Sequence, residues 1–236
     1  MRKVAIFIIL GGLLFASDVS AKSYYENELG VKLTQAEYEF FSELYWDGYQ
    51  NYLSVDEYEQ IRDMNLFYLP IEKQFYTNYE LTRGSTVTSN LRTLSISKVC
   101  SSSCYITLVT QWIGNPFVKS YDVFGARLNG PSLLSVNNAL VTGDGYTKAY
   151  NNPQQFGNGF GYSILLPNTG NLKVSTSFTT TNGGTIYGSY QHAVSNTTEL
   201  VSKQYSIGLG GYGNVFNFYG TARTIYDNAT GVDIAV

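Results

Sequence analysis

The stretch LKVSTSFTTTNGGTIYGSYQHAV, residues 172–194, decides the fold class of this chain. Both halves alternate apolar or small residues with polar ones, a period typical of a half-buried β-strand. Between the halves, Asn182-Gly183-Gly184 favours a turn, because glycine adopts positive φ at little cost. The pattern therefore predicts two strands, 172–181 and 185–194, joined as a β-hairpin.

The same pattern continues on both sides of this stretch. Strands are predicted at 94–98, 105–113, 119–128, 132–141, 160–166, 201–209, 215–226 and 232–236. Turns rich in Gly, Asn and Pro separate them. Short strands at this spacing indicate an antiparallel β-sandwich or jelly roll, which we place at residues 86–236.

Two capping boxes precede the β-rich part. Thr34 is followed by Glu37, and Ser54 by Glu57, so that each pair satisfies two free amides at a helix start. An aromatic stripe at spacings of three and four follows the first cap. It comprises Tyr38, Phe41, Leu44, Tyr45, Gly48, Tyr49 and Tyr52. We predict an N-terminal helical hairpin with a tight turn near Leu53.

The charge distribution agrees with two structural units. Residues 22–80 carry twelve acidic and four basic side chains, a net charge of −8, whereas 81–236 carry nine basic and five acidic ones, a net of +4. We therefore divide the mature chain into an acidic helical hairpin and connector, 22–85, and the β-domain, 86–236. The basic residues are scattered singly, which argues against nucleic-acid binding.

The first 21 residues have the composition of a secretory signal peptide. Arg2 and Lys3 precede an apolar run over 4–16, and Val19-Ser20-Ala21 matches a signal-peptidase site. We predict cleavage after Ala21 and a secreted or extracytoplasmic protein.

The two cysteines, Cys100 and Cys104, fit this compartment. In an exported protein such a pair is expected to form a disulfide. No His or carboxylate follows them at metal-ligand spacing, so a metal site is not predicted. The bond would close the bend between two adjacent strands.

The sequence contains no recognisable catalytic or cofactor motif. His192 is the one histidine, and no Gly-x-Ser-x-Gly nucleophile motif accompanies it. A glycosidase needs two carboxylates at a fixed separation, and no spacing pairs those of the β-domain. They are Asp122, Asp144, Glu199, Asp227 and Asp233. No cofactor is predicted, and a glycoside hydrolase ranks as the least favoured function.

The tyrosine content favours a binding protein. The chain has 21 tyrosines, and each combines a large rigid face with a polar tip that suits contact surfaces. We predict a non-enzymatic module for a cell-surface glycan or protein. Six tyrosines on loops or exposed faces are predicted to contact the ligand: Tyr146, Tyr150, Tyr162, Tyr187, Tyr190 and Tyr212.

A pore-forming toxin is the alternative function. Residues 174–194 are rich in Ser and Thr and nearly free of charge, as a hairpin that enters a membrane barrel requires. Membrane contact is expected only under this alternative. The sequence predicts no particular oligomeric state.

Overall fold

A computed structural model describes most of the chain. The described residues are 24–45, 49–62, 67–69, 74–76, 82–89, 91–209, 215–227 and 230–236. The predicted signal peptide and Tyr212 lie outside them. Antiparallel strands account for most of the described secondary structure, which confirms a mainly β protein with few helices.

The elements are numbered in chain order. The strands are β1 Tyr24–Glu26, β2 Lys32–Thr34, β3 Phe67–Leu69, β4 Gln74–Tyr76, β5 Thr82–Ser89, β6 Arg92–Cys100, β7 Ser103–Trp112, β8 Tyr121–Asn129, β9 Leu133–Val136, β10 Ala139–Gly143, β11 Tyr146–Tyr150, β12 Gln154–Phe156, β13 Gly159–Leu165, β14 Lys173–Thr181, β15 Thr185–Gln191, β16 Tyr205–Ile207, β17 Phe216–Phe218 and β18 Thr230–Ala235. The α-helices are α1 Gln35–Tyr45, α2 Val55–Arg62 and α3 Glu199–Ser202, and 3₁₀ turns cover Tyr49–Tyr52 and Gly220–Thr224.

Two antiparallel sheets contain most of the strands. The larger has seven strands in the order β11-β10-β14-β7-β6-β5, with β9 also paired to β14, and the smaller has the order β12-β13-β8-β15-β18. Both contribute to one apolar core, in which Ile106 and Leu108 of the larger sheet join Phe124, Phe160 and Ile186 of the smaller. Alternating side chains of each sheet thus bury one face against the other.

Residues 172–194 form two strands but not a hairpin. β14 lies inside the seven-stranded sheet beside β7, whereas β15 lies inside the five-stranded sheet between β8 and β18. Gly183 and Gly184, with φ of 94° and 122°, turn the chain from one sheet to the other. The predicted hairpin is therefore wrong, because alternation specifies a strand and its buried face but not its partner. The pore-forming alternative loses the free hairpin on which it depended.

The capping boxes form as predicted. Thr34 N donates to Glu37 Oε2 at 2.7 Å, and Ser54 N donates to Glu57 Oε2 at 3.0 Å. The amides of both glutamates donate in return to the Thr and Ser hydroxyls. α1 nevertheless ends at Tyr45, and a 3₁₀ turn follows at 49–52, so the predicted stripe is not one continuous helix. An antiparallel helical hairpin remains a prediction.

The N-terminal elements pack on the outer face of the seven-stranded sheet. Phe41, Leu44 and Ile61 share an apolar cluster with Val99 and Tyr105 of that sheet. Polar contacts reinforce the packing. They are the bonds from Ser177 Oγ to Glu57 Oε1 at 2.9 Å and from Thr107 Oγ1 to the Leu44 carbonyl at 3.0 Å.

The region predicted as a connector contains strands. β3 and β4 pair with each other within it, and β5 begins at Thr82, ahead of the boundary at residue 86. The division into two domains stays a prediction.

The disulfide joins Cys100 and Cys104, whose Cα atoms are 4.0 Å apart. These two cysteines also face each other across the β6–β7 pair, so the bond closes the bend between adjacent strands. Among the described residues, no helix is long and apolar enough to cross a membrane.

Candidate functional site

A polar cleft opens where the edge of the larger sheet meets the smaller one. Its volume is about 240 Å³. The start of β8, the end of β11, the loop that follows β11, the middle of β13 and the short helix α3 all contribute to its walls. The lining side chains that matter below are Tyr121, Lys148, Tyr150, Asn151, Asn152, Tyr162, Glu199 and Lys203.

Two tyrosines of the cleft are held rigidly by the backbone. The Tyr150 hydroxyl donates to the Leu165 carbonyl at 3.0 Å and accepts from the Leu165 amide at 3.1 Å. The Tyr162 hydroxyl donates to the Asn137 carbonyl at 2.5 Å. Burial is the main reason that the pKa of both phenols lies well above the ordinary value. Both rings therefore stay neutral and fixed.

Helix α3 adds opposite charges to the cleft. Thr198 caps it by accepting from the Val201 amide at 3.3 Å. Lys203 Nζ lies 2.5 Å from Glu199 Oε1, so these two charges largely neutralise each other. On the other wall, Lys148 Nζ lies 4.8 Å from the ring centroid of Tyr150, within cation–π range.

Several polar groups of the cleft have no hydrogen-bond or ion-pair partner among the described residues. Within the described part of the chain, neither the Tyr121 hydroxyl nor the side-chain amides of Asn151 and Asn152 make a hydrogen bond, and Lys148 forms no ion pair. Both asparagines are exposed and Tyr121 is half-buried. Donors, acceptors and a cation thus surround fixed aromatic rings and remain available to a ligand.

The structure separates the six tyrosines predicted to bind. Tyr150 and Tyr162 line the cleft, and Tyr146 lies at the start of the same strand as Tyr150. Tyr187 is elsewhere, with the guanidinium of Arg127 4.3 Å from its ring centroid.

Burial contradicts the predicted exposure of two of these side chains. Tyr190 is 0 % exposed and belongs to the core between the sheets, so it cannot contact a ligand from solution. Tyr162 is 1 % exposed and only borders the cleft. Strand alternation predicts on which side of its sheet each side chain lies. It does not predict which side is covered by another part of the protein.

A second polar group lies in the interior around Asp122. His192 Nδ1 is 2.9 Å from Asp122 Oδ2, the Tyr190 hydroxyl donates to the same oxygen at 2.5 Å, and the Ala193 amide donates to Oδ1 at 2.9 Å. Asp227 Oδ1 accepts from the His192 amide at 2.9 Å. Sequence reasoning left these carboxylates unpaired, whereas the structure brings both to His192.

Arg92 completes this interior network. Its Nη2 lies 2.8 Å from Asp227 Oδ2. Its guanidinium is 5.3 Å from the ring centroids of both Trp112 and Tyr190, so aromatic faces offset the loss of water around a buried cation. The indole of Trp112 also donates to the Tyr190 hydroxyl at 3.4 Å.

Burial dominates the acid–base properties of the network. It raises the pKa of the Asp122 carboxyl, and the hydrogen bonds from His192, Tyr190 and Ala193 offset only part of this effect. The pKa of Tyr190 is raised further by the neighbouring Asp122. Desolvation of the charged form therefore outweighs the stabilising donors.

The network contains the Asp–His pair of a catalytic triad, but both side chains are largely buried. Asp122 is 0 % exposed and the His192 side chain 11 %. Among the described residues, no hydroxyl or thiol other than Tyr190 belongs to it, and no group of three potential metal ligands occurs. We interpret it as a structural network that orders one end of the core.

Comparisons with known proteins give little further information. No protein-family model and no curated protein matches this chain. Among solved structures, the KRT10-binding region domain of the pneumococcal serine rich repeat protein PsrP is similar, with 11 % sequence identity and a TM-score of 0.30. The match covers 48 % of this chain and 84 % of that one. A likeness this weak supports no conclusion about function.

Proposed function

We propose that this protein is a non-enzymatic binding module whose ligand is a glycan held in the polar cleft. The observation that carries the proposal is that Tyr121, Asn151 and Asn152 present polar groups without a hydrogen-bond partner among the described residues. These groups lie beside the fixed ring of Tyr150 and its neighbour Lys148. Small-molecule sites typically combine a concave surface with a few well-placed polar groups.

The chemistry of the cleft suits a sugar. Side-chain amides and a phenol can exchange hydrogen bonds with ring hydroxyls, and an aromatic face can pack against the apolar face of a pyranose. The volume of about 240 Å³ has room for a single sugar unit. A glycan fits these features better than a protein partner, which would need a much larger contact surface.

The proposed location follows from the sequence. The signal-peptide pattern at 1–21 and the Cys100–Cys104 disulfide both support export, since structural disulfides persist in oxidising compartments. A secreted module of this kind would meet glycans at cell surfaces.

The test is binding of the full chain to an array of neutral and acidic glycans, followed by titration of the best ligand against variants. The double variant Asn151→Ala/Asn152→Ala should weaken binding roughly tenfold or more, because two hydrogen-bonding side chains are removed. Tyr121→Phe should weaken it less, because only one hydroxyl is lost.

Asn168→Ala is the matched control, since Asn168 is an exposed loop asparagine outside the cleft. It should bind like the wild type. Failure of every glycan to bind, or equal weakening by the control and the cleft variants, would overturn the proposal.

A further inference from the structure

Three large apolar side chains are exposed in two neighbouring loops at one end of the two sheets. They are Leu91, in the turn between β5 and β6, and Ile113 and Phe117, in the loop between β7 and β8. Leu91 and Ile113 are each 64 % exposed and Phe117 is 101 % exposed. We call these three residues the apical patch. Exposed apolar clusters of this kind mark interaction surfaces.

The loops that carry the apical patch are held in place. The Ile113 amide donates to the Leu91 carbonyl at 2.7 Å, which joins the two loops. The preceding residue, Trp112, is buried and its amide donates to the Leu172 carbonyl at 2.9 Å. At the other end of the loop, Lys119 Nζ donates to the Thr169 carbonyl at 3.0 Å. The apolar side chains are therefore presented by an ordered framework.

Neither packing nor backbone preference explains the side chain at position 91. Leu91 has a φ of 61°, a left-handed conformation that is strained for a bulky residue and is usually adopted by Gly or Asn. Because the side chain is 64 % exposed, burial in the fold offsets little of this strain. A contact with another molecule would bury this leucine.

We propose that the apical patch inserts into the interfacial region of a lipid bilayer. Its side chains protrude from loops. A bilayer accepts protruding apolar groups in any arrangement, whereas a protein partner must provide a complementary surface. Lys119, two residues from Phe117, supplies a cation at the base of the loop, where it can face lipid phosphates. The exposed Asp144 nearby, which accepts from Asn171 Nδ2 at 2.7 Å, is a carboxylate, so the contact depends on apolar insertion more than on charge.

The test uses a fluorophore placed in the patch. Both natural cysteines are in the disulfide, so a single introduced cysteine can be labelled with an environment-sensitive dye. Phe117→Cys should show a blue shift and a rise in emission when phosphatidylcholine vesicles are added, with a larger response when they contain phosphatidylglycerol. Leu134→Cys is the matched control, because Leu134 is 56 % exposed and lies on β9, toward the disulfide end of β14.

The local readout separates this contact from any binding through the apolar residues 4–16, which all variants share. An unlabelled Phe117→Ser variant should bind vesicles more weakly than the wild type by up to about tenfold, because any binding through residues 4–16 is unchanged. The proposal is overturned if the dye at 117 does not respond, if the dye at 134 responds equally, or if the response at 117 follows protein concentration without vesicles, which would indicate self-association.

Discussion

The interior network around Asp122 and the cleft beside Tyr150 are both rich in polar side chains, but their hydrogen bonding differs. In the network, His192 and Tyr190 both bond to Asp122, and Arg92 pairs with Asp227. In the cleft, Asn151 and Asn152 have no bonds to described residues. Two nitrogens of Arg92, Nε and Nη1, are buried without a hydrogen-bond partner among the described residues. The bonds that the network does make stabilise the fold, whereas polar groups that face a concavity are available to a ligand.

Removing the centre of the network should have the largest effect on stability. Asp122→Ala leaves the Tyr190 hydroxyl, the His192 ring and the Ala193 amide buried without their shared acceptor. We expect a loss of about 3–5 kcal/mol in the free energy of unfolding, measured by urea denaturation. A loss no greater than that of a typical surface substitution would show that the network is not structural.

The pH dependence of stability gives a second, smaller test. Burial raises the pKa of Asp122 above its value in the unfolded chain, so the folded state retains this proton to higher pH. The retained proton contributes to the free energy of unfolding. This contribution is fully present below the pKa of Asp122 in the unfolded chain and is lost as the pH rises through its pKa in the folded protein. The unfolding free energy of the wild type, minus that of Asp122→Asn, should therefore fall with rising pH. A difference that is independent of pH, or that grows, would contradict the raised pKa.

The cleft should show almost no effect on stability. Asn151→Ala and Asn152→Ala remove side chains that bond to no described residue, so each should change the unfolding free energy by less than about 0.5 kcal/mol. The same denaturation experiment measures this. If either variant were destabilised like Asp122→Ala, the cleft would have to be reinterpreted as part of the structural framework.

Local features of the fold could be predicted from sequence. The capping boxes at Thr34 and Ser54, and the disulfide between Cys100 and Cys104, involve residues three or four positions apart. The strand assignments also depend on alternation within one segment. Such interactions are specified by neighbours in the chain, so the sequence pattern is sufficient to recognise them.

The candidate site could be predicted only in part. Its position near a loop marks Tyr150 as a candidate, but nothing in the sequence relates it to Glu199 or Lys203, which α3 brings to the same cleft. His192 and Asp122 are 70 residues apart and meet because β15 pairs with β8. A turn such as Asn182-Gly183-Gly184 shows where the chain reverses but not which sheet it then joins.

The sequence by itself determined that this is a mainly antiparallel β protein with capped N-terminal helices and a local disulfide, because short-range periodicity and spacing control those features. Only the tertiary structure decided which strands are neighbours, which tyrosines are buried and where unpartnered polar groups gather. The physical reason is that the pairing of distant strands depends on burying complementary faces, and this is a property of the whole core rather than of any one segment.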